Sequence, residues 1–354
     1  TAIGEAGPAF ASIGTKYAKA FSAGYEETFS AARAIEDIAR IERIGDERPV
    51  AIDFYRERFS TIGLYENAVY AGVPENLAAL RATGRILGGV VTTPDLDTAL
   101  EDYHGRLGLN IVERGELAMD LAASWNCPAS AGARTATLQP QSDAHCFIRL
   151  VEQALPDDFR STRTFGWAAY ELTVQDVYGW PERLAGSGFD IIGPPKEIAG
   201  LPYFVPMQVT GRGREMIYLN EVRENTPSSD LPMAQSLTDH IFICILATPD
   251  REANLKWLQD NIGLDVGGTY TLEYTMINKA FGLADGTQSS ITMIQKGRLP
   301  IIEVDDYPEA ATVRPRSSGC LPPGNALTTL AVTSLDAIKA DFIEPPAVRG
   351  GAIY

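Results

Sequence analysis

The chain has 354 residues, of which 45% are hydrophobic and 21% charged, and its net charge is −16. That size and balance fit two or three globular domains and exclude a disordered chain. The acidic excess argues against nucleic acid and anionic membrane as main partners, because both are bound through basic groups, and no run of eighteen apolar residues is present to span a bilayer.

Residues 9–45 space Ala, Ile and Phe at three-to-four intervals with charges between them, which predicts helix stopping at Gly45. "PVAIDFYR" (49–56) alternates as a strand does, and "PENLAALRATG" (74–84) reads as a short helix with a glycine stop. Residues 1–85 are therefore expected to form a helical N-terminal extension that packs or dimerises. The N-terminus has no basic-then-apolar signal design, although the chain starts at Thr1 without Met, so further residues are expected upstream. The four cysteines (Cys127, Cys146, Cys244, Cys320) are scattered and form no CxxC pair. Reduced thiols in the cytoplasm are the expectation.

From Ile86 strands alternate with single helices. "ILGGVVTT" is rich in β-formers. In the following helix Leu96, Ala99, Leu100, Tyr103 and Leu107 share a face, with Asp95 as N-cap and Gly108 at the stop. Strands follow in "NIVERG", "TATLQP" and "HCFIRLVE", completing a β-α-β-β-β unit. A second unit opens at "GWAAYELTV", has a helix within "DVYGWPERLAGSG" capped by Asp176, and continues with "FDIIGPPKEI", "YFVPMQVT" and "EMIYLNEV". In the third unit Thr248-Pro249-Asp250 repeats Thr93-Pro94-Asp95, and Gly263-Leu264 repeats Gly108-Leu109. Both offsets are 155 residues (250 − 95 and 263 − 108). Its later strands are expected at "GGTYTLEYTMIN", "SSITMIQK" and "PIIEVDD". A fourth unit opens at "ALTTLAVTS", with a helix at "LDAIKADFI", and is expected to lack its last strands within this sequence.

An internal repeat sets the architecture. One such unit has a sheet face covered by its helix and a bare apolar face, which a second unit cures by joining a shared curved sheet. The expected fold is α+β: four βαβββ modules forming two domains, 86–225 and 236–354, each built from consecutive modules. The polar, proline-bearing "RENTPSSDLPMAQS" joins them.

The repeated "TPDLDTALEDYHGRLGL" pattern in paired modules resembles the vicinal oxygen chelate superfamily, which includes glyoxalase I, bleomycin-resistance proteins and extradiol dioxygenases. The resemblance covers residues 86–354. Separately, "FSAGYEETFSAARAIEDIARIERI" and "PVAIDFYR" resemble a helix-then-strand segment of the large bacterial NAD-dependent glutamate dehydrogenases, and no part of their catalytic domain.

The superfamily resemblance implies a cleft between paired modules. In its metal-using members each first strand offers a His, Gln or Glu, and each last strand a Glu, to a divalent ion such as iron, zinc, manganese or nickel. Carried over, the first-strand positions are Gly88, Ala169, Ile243 and Leu327, and the last-strand positions are Arg149, Tyr218 and Thr292. None of the first-strand residues ligates, and a guanidinium repels a divalent ion. The expectation is therefore a chain without the metal and without another cofactor. His240 in "TDHIFI" is the alternative metal ligand, if its strand is shifted by three residues.

Arg149 and Tyr218 are instead expected in the cleft, either binding a carboxylate, enolate or phenolate or closing the emptied space by stacking or by pairing with each other. Glu303, inside the apolar run "PIIEVDD", is expected to point into a cleft as base or ligand, and Glu303 and Tyr218 are the catalytic candidates. Glu273, beside Tyr274, is a further substrate-binding candidate. The acidic turn Asp305-Asp306-Tyr307-Pro308 is expected to lead out to solvent. His104 and His145 have no triad context, and "GRGRE" (211–215) is a hairpin turn rather than a phosphate loop. The resemblance implies a lyase, isomerase or dioxygenase acting on a small aromatic or oxygenated organic molecule. The other readings are a non-catalytic binding or sequestering protein, and a structural homodimer with vestigial clefts.

Overall fold

The computed structural model describes residues 85–198, 200–331 and 338–339. The expected N-terminal extension and the helix of the fourth unit lie outside the described residues. Of that unit only the first strand is described.

The first module runs β1 (Ile86–Thr93), α1 (Leu96–Leu100, continued as a π-helical turn Glu101–Arg106), β2 (Asn110–Glu116), α2 (Met119–Ser124), β3 (Arg134–Gln139) and β4 (Phe147–Glu152). The second runs β5 (Gly166–Val174), α3 (Trp180–Arg183), β6 (Asp190–Gly193), β7 (Phe204–Thr210) and β8 (Met216–Val222). The third comprises β9 (Thr238–Thr248), α4 (Arg251–Trp257, continued as Leu258–Ile262), β10 (Asp265–Glu273), α5 (Thr275–Phe281), β11 (Gln288–Lys296) and β12 (Leu299–Asp306). The last described strand is β13 (Asn325–Leu330).

In each complete module the last strand lies parallel beside the first: β4 beside β1, β8 beside β5 and β12 beside β9. The caps explain how each helix is held to its own sheet. The Asp95 and Asp250 carboxylates accept from Thr98 and Ala253 as expected. A second carboxylate, at or one residue before the end of the module's last strand, accepts from the helix start. Glu152 takes the Leu96 N–H at 2.9 Å, Glu221 the Val177 N–H at 2.8 Å and Asp306 the Arg251 N–H at 3.1 Å. Asp176 does not cap its helix. It lies in the left-handed region with φ 49° and makes no capping bond, and Glu221 serves in its place.

The modules do not pair with their neighbours in the way the sequence suggested. One sheet has the order β13-β1-β4-β3-β2, and the other β10-β11-β12-β9-β5-β8-β7-β6. The second and third modules therefore share a sheet through antiparallel β5 and β9, while the fourth unit's strand returns to β1. An open first-strand edge is what each module has to offer, and the nested arrangement joins those edges as well as the consecutive one would.

The main core lies between the sheets and helices α1 and α4, and includes Tyr103, Leu107, Leu150, Tyr170, Leu172 and Ile302. Tyr170 of β5 ties the sheets together, donating from its hydroxyl toward the carbonyls of Val90 at 3.0 Å and Leu327 at 2.6 Å. Asn325 of β13 does the same in both directions, accepting from the Met216 N–H at 2.9 Å and donating to the Met216 carbonyl at 3.1 Å. The hairpin at 211–215 tucks Glu215 against α1, where Tyr103 donates to it at 2.8 Å, and Asp102 holds Arg212 at 2.6 Å.

Each outer sheet face carries a helix inserted between the second and third strands of a module. Helix α2 packs over the five-stranded sheet with Leu117, Ala122 and Val151. Helix α5 packs over the eight-stranded sheet through Ile277, Met276 and Phe281. The "TMIN" segment, expected as strand, is thus the start of this helix, with Gly282 in the left-handed region ending it. Among the described residues no helix is long and apolar enough to cross a membrane.

Candidate functional site

The outer face of the eight-stranded sheet, beneath α5, brings together buried Glu171 and Asp305 and half-buried Glu303. Period-two alternation on β12 puts Glu303 and Asp305 on the same face. Glu303 stands beside Ile245 and Asp305 beside Ala247 on β9. On the other side of β9, Glu171 of β5 lies opposite Ile243 and beside Tyr218 of β8. Small and alkyl side chains thus floor the space between three carboxyl groups. Tyr274, at the start of α5, closes it from above, its hydroxyl 2.7 Å from that of Tyr218, which also reaches the Met276 sulfur at 3.6 Å. Tyr307 packs edge-on against Phe281, ring centres 6.1 Å apart. Half-buried Phe165, Tyr203, Phe204 and Met293 edge the same cluster. The arrangement is a largely apolar, aromatic layer between sheet and helix with a few convergent polar groups, the make-up that a small-molecule recess would have.

Electrostatics follow from burial. Desolvation raises Glu171, and the nearby Glu303 charge raises it further, against a 3.1 Å bond from Asn220. Glu303 is pushed up to about 7 by desolvation, opposed by its contact with Asp305. Asp305 rises for the same reason, reinforced by Glu303 and Glu171. Glu303 and Asp305 titrate as a pair, because two carboxyls in contact hold one proton between them. Burial also raises the phenols of Tyr218 and Tyr274, so both stay protonated and can donate. A carboxyl poised near neutrality beside a fixed phenol can exchange a proton with a bound molecule.

The structure brings Glu303 and Tyr218 together, and keeps the other expected residues apart from them. Arg149 belongs to the five-stranded sheet. It donates to Thr137 at 3.0 Å and to Glu113 at 3.2 Å, and lies 6.0 Å from the Trp125 ring and 5.8 Å from that of Phe147. There it stacks and fills, on a different sheet from Tyr218. Glu273 is exposed at the end of β10 and accepts from the Gly286 N–H at 2.8 Å, closing a loop. His240 sits 3.0 Å from the Asp239 carboxylate at the start of β9. Thr292 is on β11, where its hydroxyl meets that of Thr269 at 2.9 Å. Because β12, not β11, runs beside β9, Glu303 rather than Thr292 is the counterpart of Arg149 and Tyr218. Asp305 and Tyr307 do not lead out to solvent: they are only 3% and 7% exposed.

Parallel first and last strands, a helix between them, and module sheets joined edge to edge decide the architecture. This arrangement fits a fold like that of the vicinal oxygen chelate superfamily. At the positions its metal-using members employ, the eight-stranded sheet presents Ala169, Ile243, Tyr218 and Glu303, which amount to two alkyl groups, one phenol and one carboxyl. That donor set does not fit a divalent ion. Among the described residues no three His, Cys, Asp or Glu side chains are grouped to hold one. In the other sheet a side chain at Gly88 would start only 2.5 Å from the Phe147 ring.

The chain is similar to glyoxalase I from Zea mays at 16% identity, over 62% of this chain and 66% of that one, with a TM-score of 0.42. It is similar to a putative dioxygenase from Bacillus subtilis at 12% identity, over 65% and 66% of the two chains, also at 0.42. A shorter antibiotic-binding protein from a Streptomyces species shares 18% identity over 39% of this chain and 95% of its own, at 0.28. The chain thus spans just under two thirds of the maize and Bacillus proteins. Residues 5–44, outside the described part, match the family "Glutamate dehydrogenase, helical motif 2". No curated protein sequence matches the chain.

Proposed function

We propose that the chain binds a small organic molecule in the recess beneath α5, and does so without the divalent ion of metal-using superfamily members. The observation that carries this reading is the convergence of Glu303, Asp305 and the Tyr218–Tyr274 phenol pair on one apolar, aromatic sheet face. In this reading Glu303 takes or returns a proton, and Tyr218, positioned by Tyr274, donates a hydrogen bond to an oxygen or nitrogen of the bound molecule. Such a site suits isomerase- or lyase-type proton transfer. Binding without turnover is the second reading, favoured by the packing of α5 directly over the carboxyls. The five-stranded sheet is the weaker host, since α2, Trp125 and Arg149 fill its face. Four cysteines without a disulfide support a reducing compartment such as the cytoplasm.

Thermal unfolding of the full chain against a panel of small aromatic and oxygenated molecules tests the reading, since a ligand of the native state raises the midpoint by mass action. Tyr218→Phe and Glu303→Gln should abolish the rise caused by any hit. A stoichiometric iron, zinc, manganese or nickel ion that survives dialysis and is lost in Glu303→Gln would overturn the metal-free part.

A further inference from the structure

We propose that the molecule taken up by this recess is an organic cation of the primary amine or amidine class, its N–H groups facing Glu303, Asp305 and Glu171 and its apolar body lying against Tyr218, Tyr274 and Phe281. This rests on the reading that the recess is a small-molecule site, and adds the charge of the occupant.

The argument begins with partners. Of the buried carboxylates elsewhere in the fold, Asp102 and Asp239 have charged or several donors, while Glu215 accepts from the neutral Tyr103 hydroxyl. Asp102 holds Arg212 and the Gly188 N–H, and Asp239 accepts from Gln235, Ser236 and Ser142 beside His240. The three carboxyls of the recess differ. Among the described residues none of them is in an ion pair, and the donor to Glu171 is the neutral amide of Asn220. Asp305, 3% exposed, has Glu303 as its side-chain partner, and two carboxyls can share only a proton. The Oδ1 of Asn220, whose amide nitrogen is on Glu171, is also buried without a donor, as is the hydroxyl of Thr173 two residues along β5. With Asp305 ionised, three of these four atoms, its two oxygens and the Asn220 Oδ1, can only accept. A buried acceptor without a donor costs about 1–3 kcal/mol, and more when charged, so the site is complementary to a ligand with several donors and a positive charge.

Among the described residues no cation supplies that charge. Arg163 is exposed and stacks on Phe281 at 5.3 Å. Arg314 donates to the carbonyls of Trp167, Pro323 and Asn325, and its charge bears on Tyr170 and Tyr307 rather than on the acids. The other titratable groups acting on the recess are the phenols of Tyr218, Tyr274 and Tyr307 and the carboxyl of Asp306. The ring faces beside the acids suit a cation's apolar body and its charge alike. Because burial holds protons on the acids when the recess is free, entry of a cation releases protons and its affinity rises with pH.

Two pairs of probes of nearly matched shape test this on the full chain by isothermal titration calorimetry: benzamidine against benzamide, and benzylamine against benzyl alcohol. The cations should bind at least about tenfold more tightly than their neutral counterparts. They should release protons, seen as a heat that changes with the buffer's ionisation enthalpy, and should tighten between pH 6 and 8. Glu303→Gln and Asp305→Asn, which remove buried charge and keep the shape, should each cost the cations about tenfold and leave the neutral probes unchanged. Equal binding of charged and neutral probes, lost in Tyr218→Phe, would overturn the charge inference and leave the small-molecule reading standing. Cation binding unaffected by both acid substitutions would be surface attraction to an acidic protein and would overturn the inference. If none of the four probes binds, the recess does not take molecules of this size, and the reading falls with the inference.

Discussion

Glu215 provides a quantitative test of how the hairpin is docked. Its carboxyl is 1% exposed and accepts from Tyr103 at 2.8 Å. Burial pushes it up to about 7, against the opposing Tyr103 bond, from an ordinary value of 4.5. Between those values the folded chain keeps a proton that the unfolded chain has lost. The stability this group contributes is therefore full below pH 4.5 and falls as pH rises, reaching its floor above about 7. At about 1.4 kcal/mol per pH unit the total is about 3 kcal/mol. Glu215→Gln keeps an acceptor for Tyr103 and cannot ionise. Urea unfolding of both proteins at pH 5, 6, 7 and 8 reads the difference directly. The glutamine variant should exceed the parent by under about 1 kcal/mol at pH 5 and by about 3 kcal/mol at pH 8. Glu303, Asp305 and Glu171 titrate in the same direction in both proteins and cancel in the difference. A difference that stays flat from pH 5 to 8 would show that Glu215 ionises normally and that the burial argument is wrong.

Asn325→Ala leaves the Met216 N–H and carbonyl without partners at a buried site, and should cost about 2–3 kcal/mol in denaturant unfolding; a loss under about 0.5 kcal/mol would mean that water replaces the amide. Gly89→Ala drives a methyl group into the Tyr170 ring that ties the sheets, with an expected cost of about 1–3 kcal/mol; an unchanged midpoint would show that the ring has room to move. Ellman's reagent should label Cys320 in the native protein and the buried Cys127, Cys146 and Cys244 only on unfolding; native labelling of all four thiols would contradict the packing.

The repeat was legible because its punctuation is local. Asp95 and Asp250 cap helices, Gly108 and Gly263 adopt positive φ at helix ends, and both pairs stand at one offset. What joins to what was not legible, because any two modules present similar first-strand edges, and sequence order favours consecutive pairing over the nested pairing observed. One misassignment then propagated. With "TMIN" read as strand, "SSITMIQK" took the place of the last strand, and Thr292 displaced Glu303 from its equivalence with Tyr218. An acid placed between two aliphatic residues still marks Glu303. A similar signal, an acid between Tyr170 and Leu172, marks Glu171 within "AAYELTV". Asp305 was hidden by Asp306 and Pro308, which give the segment the look of a solvated turn although alternation puts Asp305 on the inner side.

The nesting of β13 onto β1 around the β5–β9 seam has a kinetic corollary. Residues 166–306 complete the larger sheet from one uninterrupted stretch of chain, whereas the smaller sheet cannot finish until a segment more than two hundred residues downstream arrives at Val90. Long closures cost entropy before any contact repays it. Assembly should therefore proceed from the middle of the polypeptide outward, with the strand at 325–330 docking last.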